Sequence, residues 1–157
     1  MEHWSGSISH LVNEPETTFE LRLPIAQAPS WFVDSIQIAH KKHVVILDDD
    51  SLIHSVWTER FASLGHCDLT LHHATSEPEF DQCINKIGAD IADCIILCDF
   101  DLGSERTGLD VISSYGLVSV ATMVTNSFND QSFLSACTNL GLKILPKPLI
   151  HIVSISS

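Results

Sequence analysis

The chain has 157 residues, enough for one domain of ordinary size with a tail. Hydrophobic residues make up 45% of it and charged residues 18%, a balance that excludes an intrinsically disordered chain. The formal net charge of −12 repels phosphate backbones, and no apolar run approaches the roughly 18–20 residues of a membrane span. Five cysteines without a C-x-x-C pair are typical of free thiols in a reducing compartment. We therefore expect a cytoplasmic chain that binds neither nucleic acid nor membranes.

The first zone, residues 1–42, is predicted to be an N-terminal extension with a linker. Thr18–Leu23 alternates polar and apolar residues, which predicts one half-buried strand that ends at Pro24. Ser30 is predicted to cap a short helix that carries Trp31 and Ile36. The extension is too small to bury a core of its own, so we expect it to pack on another surface.

The second zone, residues 43–157, alternates short apolar runs with helix-length amphipathic segments. The predicted strands are Val44–Leu47, Leu69–Leu71, Cys94–Cys98, Val120–Val124 and Lys143–Leu145. The predicted helices run from Asp49 or Asp50 to Gly65, from a capping box at Ser76–Glu79 to Ile87, over Leu109–Tyr115, from Asn129 or Asp130 to Gly141, and over Leu149–Ile155. This alternation predicts an α/β fold with a doubly wound five-stranded parallel sheet. Pro146 and Pro148 place the last strand at an edge, because proline cannot donate to a sheet ladder.

Residues with ionisable or hydroxyl side chains follow four of the five predicted strands. The first strand runs into Asp48, Asp49 and Asp50, the third into Asp99 and Asp101, the fourth into Thr125, and the fifth into Lys147. Each residue taken alone is explained as a helix cap, a turn residue or a solvated lysine. Because function gathers at the carboxyl ends of parallel strands, their joint occurrence predicts one shared site.

Carboxylates dominate this predicted site. Asp48, Asp49 and Asp99 would repel one another by ~1–4 kcal/mol per pair at ~4–6 Å. A divalent cation relieves that repulsion, as does protonation of one carboxylate, and oxygen ligands favour Mg²⁺. A remaining carboxylate can attack a phosphoryl group and form an aspartyl phosphate, with the Lys147 ammonium neutralising charge and the Thr125 hydroxyl donating to a phosphoryl oxygen.

Four motifs give the second zone a specific resemblance: V-V-I-L-D-D-D, C-I-I-L-C-D-F-D-L-G, A-T-M-V-T-N and L-P-K-P. In this order they resemble the receiver domain of response regulators in two-component signalling. The resemblance implies a flavodoxin-like sheet of strand order 2-1-3-4-5. It also implies that Asp99 is the phosphoacceptor, that Asp48 and Asp49 bind Mg²⁺ with the backbone carbonyl of Asp101, and that the phosphodonor is a histidine kinase or a histidine phosphotransfer domain. Thr125 would be the switch hydroxyl and Lys147 the phosphate-binding lysine.

Three features depart from the family pattern. Ile144 stands where receivers usually have Phe or Tyr, three residues before the lysine. The loop after Asp99 has Gly103 where many receivers have proline, and it is about one residue longer before Gly108. The predicted last helix is short, which would reduce the face that receivers commonly use for dimerisation.

The extension has a second resemblance. Gly6–Pro24 is similar to the closing strands of a histidine-kinase ATPase domain, with Asn13–Glu16 in place of the usual glycine-rich turn. None of the nucleotide-binding boxes of that domain is present, so we expect no ATP binding. The resemblance implies that the chain is the C-terminal receiver of a hybrid sensor histidine kinase. An unrelated extension that adds a strand to another surface is the alternative.

Two other functions remain open at this point. A phosphatase of the haloacid-dehalogenase type also uses a D-x-D motif after a strand, but its acidic pair follows that motif, whereas Asp48 and Asp49 precede it. A receiver that acts only as a docking module, without phosphorylation, is favoured mildly by Ile144. The nine histidines lack metal-binding spacing and are predicted to be scattered surface or packing residues.

Overall fold

A computed structural model describes residues 6–13, 16–65 and 68–156 of the chain, with the backbone alone for residues 11–13. The strands are β1 Ser7–Asn13, β2 Glu16–Arg22, β3 Ser35–Gln37, β4 His43–Leu47, β5 Thr70–Ala74, β6 Cys94–Cys98, β7 Ala121–Thr125, β8 Lys143–Pro146 and β9 Ser154–Ser156. The helices are α1 Ser51–Ala62, α2 Glu77–Ile87, α3 Gly108–Ser114 and α4 Gln131–Leu140. Among the described residues, no helix has the length and apolar character needed to cross a membrane.

A central sheet of five parallel strands in the order β5-β4-β6-β7-β8 organises the molecule. Counted from β4, this is the order 2-1-3-4-5, and the predicted doubly wound fold is confirmed. Leu47 is in register with Cys98, and Thr125 with Pro146, so the residues that follow these strands meet at one edge of the sheet. The prolines lie in and after β8, the edge strand of this sheet, as predicted.

Both faces of the sheet are buried, and they are covered differently. The first face packs against α2, α3 and α4 through side chains such as Phe80, Ile112 and Phe133. The second face packs against α1, through the fully buried Trp57, and against residues from both ends of the domain. Successive residues along β4 alternate between these two clusters, which explains why the strand reads as a continuous apolar run.

Two predicted helices, one near each end of the chain, are not present in the structure. Residues 31–33 run beside β8 rather than forming a helix, because Ile144 exchanges backbone hydrogen bonds with Trp31 and Val33. The segment then continues as β3, which pairs in parallel with β9. The predicted helix Leu149–Ile155 is replaced by a short 3₁₀ turn and β9. Long-range pairing therefore overrides the local helical pattern at both ends.

The helix caps follow the sequence with one exception. Asp50 caps α1 by accepting from the Leu52 N–H, and Asp130 caps α4 by accepting from the N–H groups of Ser132 and Phe133. The predicted capping box at Ser76 is wrong, because the Ser76 side chain makes no capping hydrogen bond. The Glu79 carboxylate instead accepts from the backbone N–H and the hydroxyl of Thr75.

The N-terminal segment forms an antiparallel hairpin of β1 and β2. Its register places Ile8 opposite Leu21 and His10 opposite Phe19, so one face of the hairpin carries apolar side chains. All residues of β2 are exposed, which corrects the predicted half-buried strand at Thr18–Leu23. A two-stranded hairpin of this kind has no core of its own. The predicted division between residues 42 and 43 stays a prediction, although Val33, Ile36 and Ile38 belong to the core of the second face.

Candidate functional site

Two carboxylates are fixed at the carboxyl edge of the central sheet. The backbone N–H of Asp48 donates to Ala74, and that of Asp99 donates to Leu47, so both residues continue the ladder beyond their strands. Their burial is almost complete, with 1% of Asp48 and 5% of Asp99 exposed. Asp49 is exposed, yet one carboxylate oxygen from each of Asp48, Asp49 and Asp99 lies within 4.8 Å of the others. The sequence prediction that these three acids converge is confirmed as geometry.

One ammonium group faces this acidic cluster. Lys147 Nζ lies 2.8 Å from a carboxylate oxygen of Asp48 and 2.8 Å from one of Asp99. Burial lowers the pKa of Lys147, but its hydrogen bonds to Asp48 and Asp99 outweigh that effect and raise the pKa overall. Burial and the neighbouring Asp48 raise the pKa of Asp99 even though Lys147 opposes the shift. A single ammonium therefore leaves part of the negative charge of the cluster uncompensated.

The donor set of this cluster fits a hard divalent cation. Its ligand atoms are carboxylate oxygens, with no sulfur or imidazole among the three grouped residues, and oxygen ligands suit Mg²⁺. The uncompensated charge favours the same ion. Asp48, Asp49 and Asp99 are the residues that would hold it.

Thr125 and Asp101 line the same cleft, which has a volume of about 310 Å³. Thr125 is buried at the end of β7, and its hydroxyl oxygen accepts a hydrogen bond from the Ser127 N–H, which leaves its O–H able to donate. The Asp101 carboxylate accepts from the Gly103 N–H and so serves the loop. Five of the six residues predicted for the site thus line one cleft, and the sixth, Asp48, contacts Lys147 beside it.

Gly108 is a site-shaping residue that the sequence analysis did not single out. A Cβ atom at this position would stand 1.8 Å from the backbone oxygen of Asp99 and 2.6 Å from Cys98 Sγ. The N–H of Gly108 donates to Phe100, and the capping box of Thr107 and Asp110 fixes the start of α3 next to it. Only glycine allows this helix to approach the backbone of Asp99 so closely.

Four of the histidines lie in two close pairs, which corrects the part of the prediction that called them scattered. His54 Nδ1 lies 2.9 Å from His73 Nδ1, and His72 Nε2 lies 3.2 Å from His43 Nδ1. His54 Nε2 is 2.8 Å from the backbone oxygen of Asp48, which can only accept, so Nε2 carries the proton. His54 therefore braces the backbone of one of the clustered acids. No signal in the sequence pointed to this contact, because it depends on how α1, which carries His54, packs beside the end of β4.

Ile144 is fully buried in β8, where receivers usually carry an aromatic residue. Its backbone pairs with Trp31 and Val33 from the extension. The extension thus occupies the outer side of the strand that leads to Lys147.

Family models and curated protein sequences gave no match to the chain. Solved structures do match. The chemotaxis protein CheY4 of Vibrio cholerae is 17% identical, with a TM-score of 0.53 over 69% of this chain and 88% of that chain. A CheY-like receiver domain from Methylobacillus flagellatus is 16% identical, with a TM-score of 0.55 over 72% and 92%. The receiver domain of the histidine kinase CKI1 from Arabidopsis thaliana, in complex with Mg²⁺ and BeF₃⁻, is 17% identical, with a TM-score of 0.52 over 71% and 85%.

These neighbours share the flavodoxin-like arrangement of a central parallel sheet between helices. More narrowly, the chain has the fold of response-regulator receiver domains. The resemblance drawn from its motifs is confirmed at the level of the fold.

Proposed function

We propose that this chain is a phosphoacceptor domain of two-component signalling, with Asp99 as the residue that is phosphorylated. The observation that carries the proposal is the meeting of three carboxylates with one ammonium, in which Lys147 Nζ lies 2.8 Å from both Asp48 and Asp99. A nucleophilic carboxylate, a fixed cation and an adjacent hydroxyl are the parts that acyl-phosphate formation needs.

The proposed reaction is transfer of a phosphoryl group from a phosphohistidine. A carboxylate oxygen of Asp99 attacks phosphorus, the new O–P bond forms as the N–P bond breaks, and the imidazole nitrogen of the donor keeps the electron pair. Lys147 orients the Asp99 carboxylate before the reaction and compensates charge on the phosphoryl oxygens after it. Asp48 holds Lys147 from the other side, which fixes the ammonium in the buried part of the cleft.

Mg²⁺ completes the proposed site. Asp48, Asp49 and Asp99 would hold it with their carboxylates, and Asp101 with its backbone carbonyl. When bound, the ion supplies positive charge next to the phosphoryl oxygens. The Arabidopsis receiver domain in complex with Mg²⁺ and BeF₃⁻ supports this assignment by fold analogy.

Thr125 is the proposed switch residue. On phosphorylation, its hydroxyl leaves the hydrogen bond with the Ser127 N–H, donates to a phosphoryl oxygen and moves the end of β7. The neighbouring strand β8 carries Ile144 instead of an aromatic ring, so the response reaches the extension through the backbone bonds of Ile144 to Trp31 and Val33. The two conformations are shifted in population by phosphorylation.

The proposed partner is a histidine kinase or a histidine phosphotransfer domain in the cytoplasm. The hairpin β1–β2, which exposes Ile8, Phe19 and Leu21, supports the further proposal that the chain ends a hybrid sensor histidine kinase. Strands with an apolar face and no core are expected at the rim of a larger domain. A continuous upstream reading frame that encodes an ATPase domain would support this placement, and an upstream stop codon would contradict it.

The test of phosphorylation uses the full chain with Mg²⁺ and acetyl phosphate, followed by intact-mass measurement. We expect the mass of one added phosphoryl group, and none after Asp99→Asn. Asp101→Asn is the matched control, because the Asp101 carboxylate serves the Gly103 turn, and this variant is expected to keep the adduct. An unmodified mass for the unsubstituted chain, with Mg²⁺ bound, would contradict the proposal and favour a docking module.

The phosphatase alternative makes a different prediction. Such an enzyme would turn over p-nitrophenyl phosphate many times per chain, whereas a phosphoacceptor domain does not release product from a generic phosphomonoester. Measurement of p-nitrophenol release under the same conditions separates the two functions.

A further inference from the structure

A second cleft lies at the opposite end of the central sheet from the acidic cluster. Its volume is about 590 Å³, within the range of small-molecule sites. One wall is the segment from Val33 to Gln37, the other wall is Val118–Thr122, and the floor includes Cys94 and Ile95 at the start of β6. The extension also contributes Val33 and Ile36 to the core of the second face beside this cleft.

The charges around this cleft are unusual for a chain with a net charge of −12. Lys41 and Lys143 line it, and among the described residues of its lining there is no Asp or Glu. Lys41 Nζ donates to the backbone oxygen of Ala92, and Lys143 Nζ donates to that of Ser30. Within the described ranges neither lysine forms an ion pair, whereas the adjacent Lys42 pairs with Asp90 and Asp93.

The lining combines this positive charge with an apolar floor. Val33, Ile36 and Ile95 are each less than 10% exposed and present aliphatic surface, while Ser119, Thr122 and Gln37 offer neutral polar groups at the margins. Each lysine has two N–H groups left after its bond to a backbone carbonyl, because an ammonium carries three. Two acids adjoin lining residues in sequence: Asp34, which is exposed and accepts from the Ser35 hydroxyl, and Asp93, which forms an ion pair with Lys42.

We propose that this cleft binds a small organic anion, with an apolar body against the aliphatic floor and its negative charge attracted by the lysines of the lining, Lys41 and Lys143. The proposal is independent of phosphorylation at Asp99, because the cleft lies at the amino ends of the strands and the acidic cluster at their carboxyl ends. Its ligand would sit between the extension and the sheet.

The test uses two probes with the same ring system, naphthalene-1-carboxylate and the neutral 1-naphthalenemethanol. Titration of the full ¹⁵N-labelled chain by NMR should shift the amide signals of residues 33–37 and 118–122. We expect the carboxylate to bind about fivefold more tightly than the alcohol, as two partly exposed charges allow. Lys41→Gln combined with Lys143→Gln should remove this preference, and Lys42→Gln should keep it.

Several results would overturn the proposal. One is equal affinity for the two probes, and another is an unchanged preference in the double variant. The others are shifts confined to the hairpin or to residues outside the cleft, and no shift at millimolar probe. Should the double variant fail to fold, Lys41→Gln and Lys143→Gln alone are each expected to reduce the preference about twofold.

Discussion

The two faces of the central sheet show two ways of burying the same kind of strand. On the first face, α2, α3 and α4 each follow a strand and fold back onto the sheet, so most of the cover comes from helices close in sequence to the strands. On the second face, α1 does the same, but the rest of the cover comes from residues 33–38 and 150–155. These two segments meet as β3 and β9, which lie more than 100 residues apart in sequence.

The two proposed sites lie in parts of the molecule that are covered in these two different ways. The first face brings Gly108 and α3 against the backbone of Asp99, and so it shapes the acidic site. The second face adjoins a cleft with residues 33–37 of the extension as one wall and Lys41 and Lys143 in its lining. Packing of segments that are close in sequence thus shapes the predicted phosphoacceptor site, and packing of segments far apart in sequence shapes the proposed anion site.

The largest expected effect tests whether the long-range cover is a real part of the core. Ile36→Ala should lower the free energy of unfolding by about 2–4 kcal/mol, because Ile36 is buried and its truncation leaves a cavity. Ile112→Ala on the first face should cost a similar amount. Urea denaturation measures both, and Ile25→Ala at a fully exposed position is the control. A loss below about 0.5 kcal/mol for Ile36→Ala would show that the extension does not belong to the core.

Gly108→Ala tests whether the acidic site requires the close approach of α3 to the Asp99 backbone on the first face. The added methyl group collides with the Asp99 backbone, so we expect a loss of about 1–3 kcal/mol in unfolding free energy together with loss of the phosphoryl adduct. Gly65→Ala is the control, since Gly65 has a φ of 76°, which disfavours alanine, but no described atom lies within 4 Å of an added Cβ. It should lose about 1 kcal/mol and keep the adduct. An intact adduct in Gly108→Ala would contradict the shaping role.

His54→Leu tests whether α1, which covers the second face, helps to position Asp48 in the acidic site. Loss of the hydrogen bond from His54 to the Asp48 backbone should weaken Mg²⁺ binding about tenfold, as removal of outer-sphere support commonly does. His72→Leu removes a similarly buried histidine that pairs with His43 instead. Titration calorimetry with Mg²⁺ should therefore separate the two variants. The same Mg²⁺ affinity in both would mean that His54 does not position Asp48.

Leu21→Ser has the smallest expected effect. Leu21 is exposed on the hairpin and makes no contribution to either face of the sheet, so the unfolding free energy should change by less than about 0.5 kcal/mol. A larger loss in urea denaturation would show that the hairpin packs on the sheet in the folded chain.

The sequence was most informative where structure is local. The strand that precedes each of Asp48, Asp99, Thr125 and Lys147 is short, apolar and followed by a cap or turn, so both the sheet and the convergence of its carboxyl ends were predictable. The extension was not predictable in this way, because the conformation of Trp31–Gln37 is set by backbone pairing with β8 and β9, which are distant in sequence. Nor was the contact between His54 and Asp48, which depends on how α1 settles on the sheet. The roles of the site residues in phosphorylation stay predictions.

The central claim, that the acids at the carboxyl edge gather around one divalent cation, is tested most directly with Mn²⁺. This ion shares the oxygen ligands of Mg²⁺ and broadens nearby NMR signals. Substoichiometric Mn²⁺ should first broaden the amide signals of residues 48–50, 99–101 and 125–126, excess Mg²⁺ should restore them, and Asp49→Asn should weaken the effect. Broadening centred elsewhere, or broadening at this edge that neither Mg²⁺ nor Asp49→Asn reduces, would contradict the account.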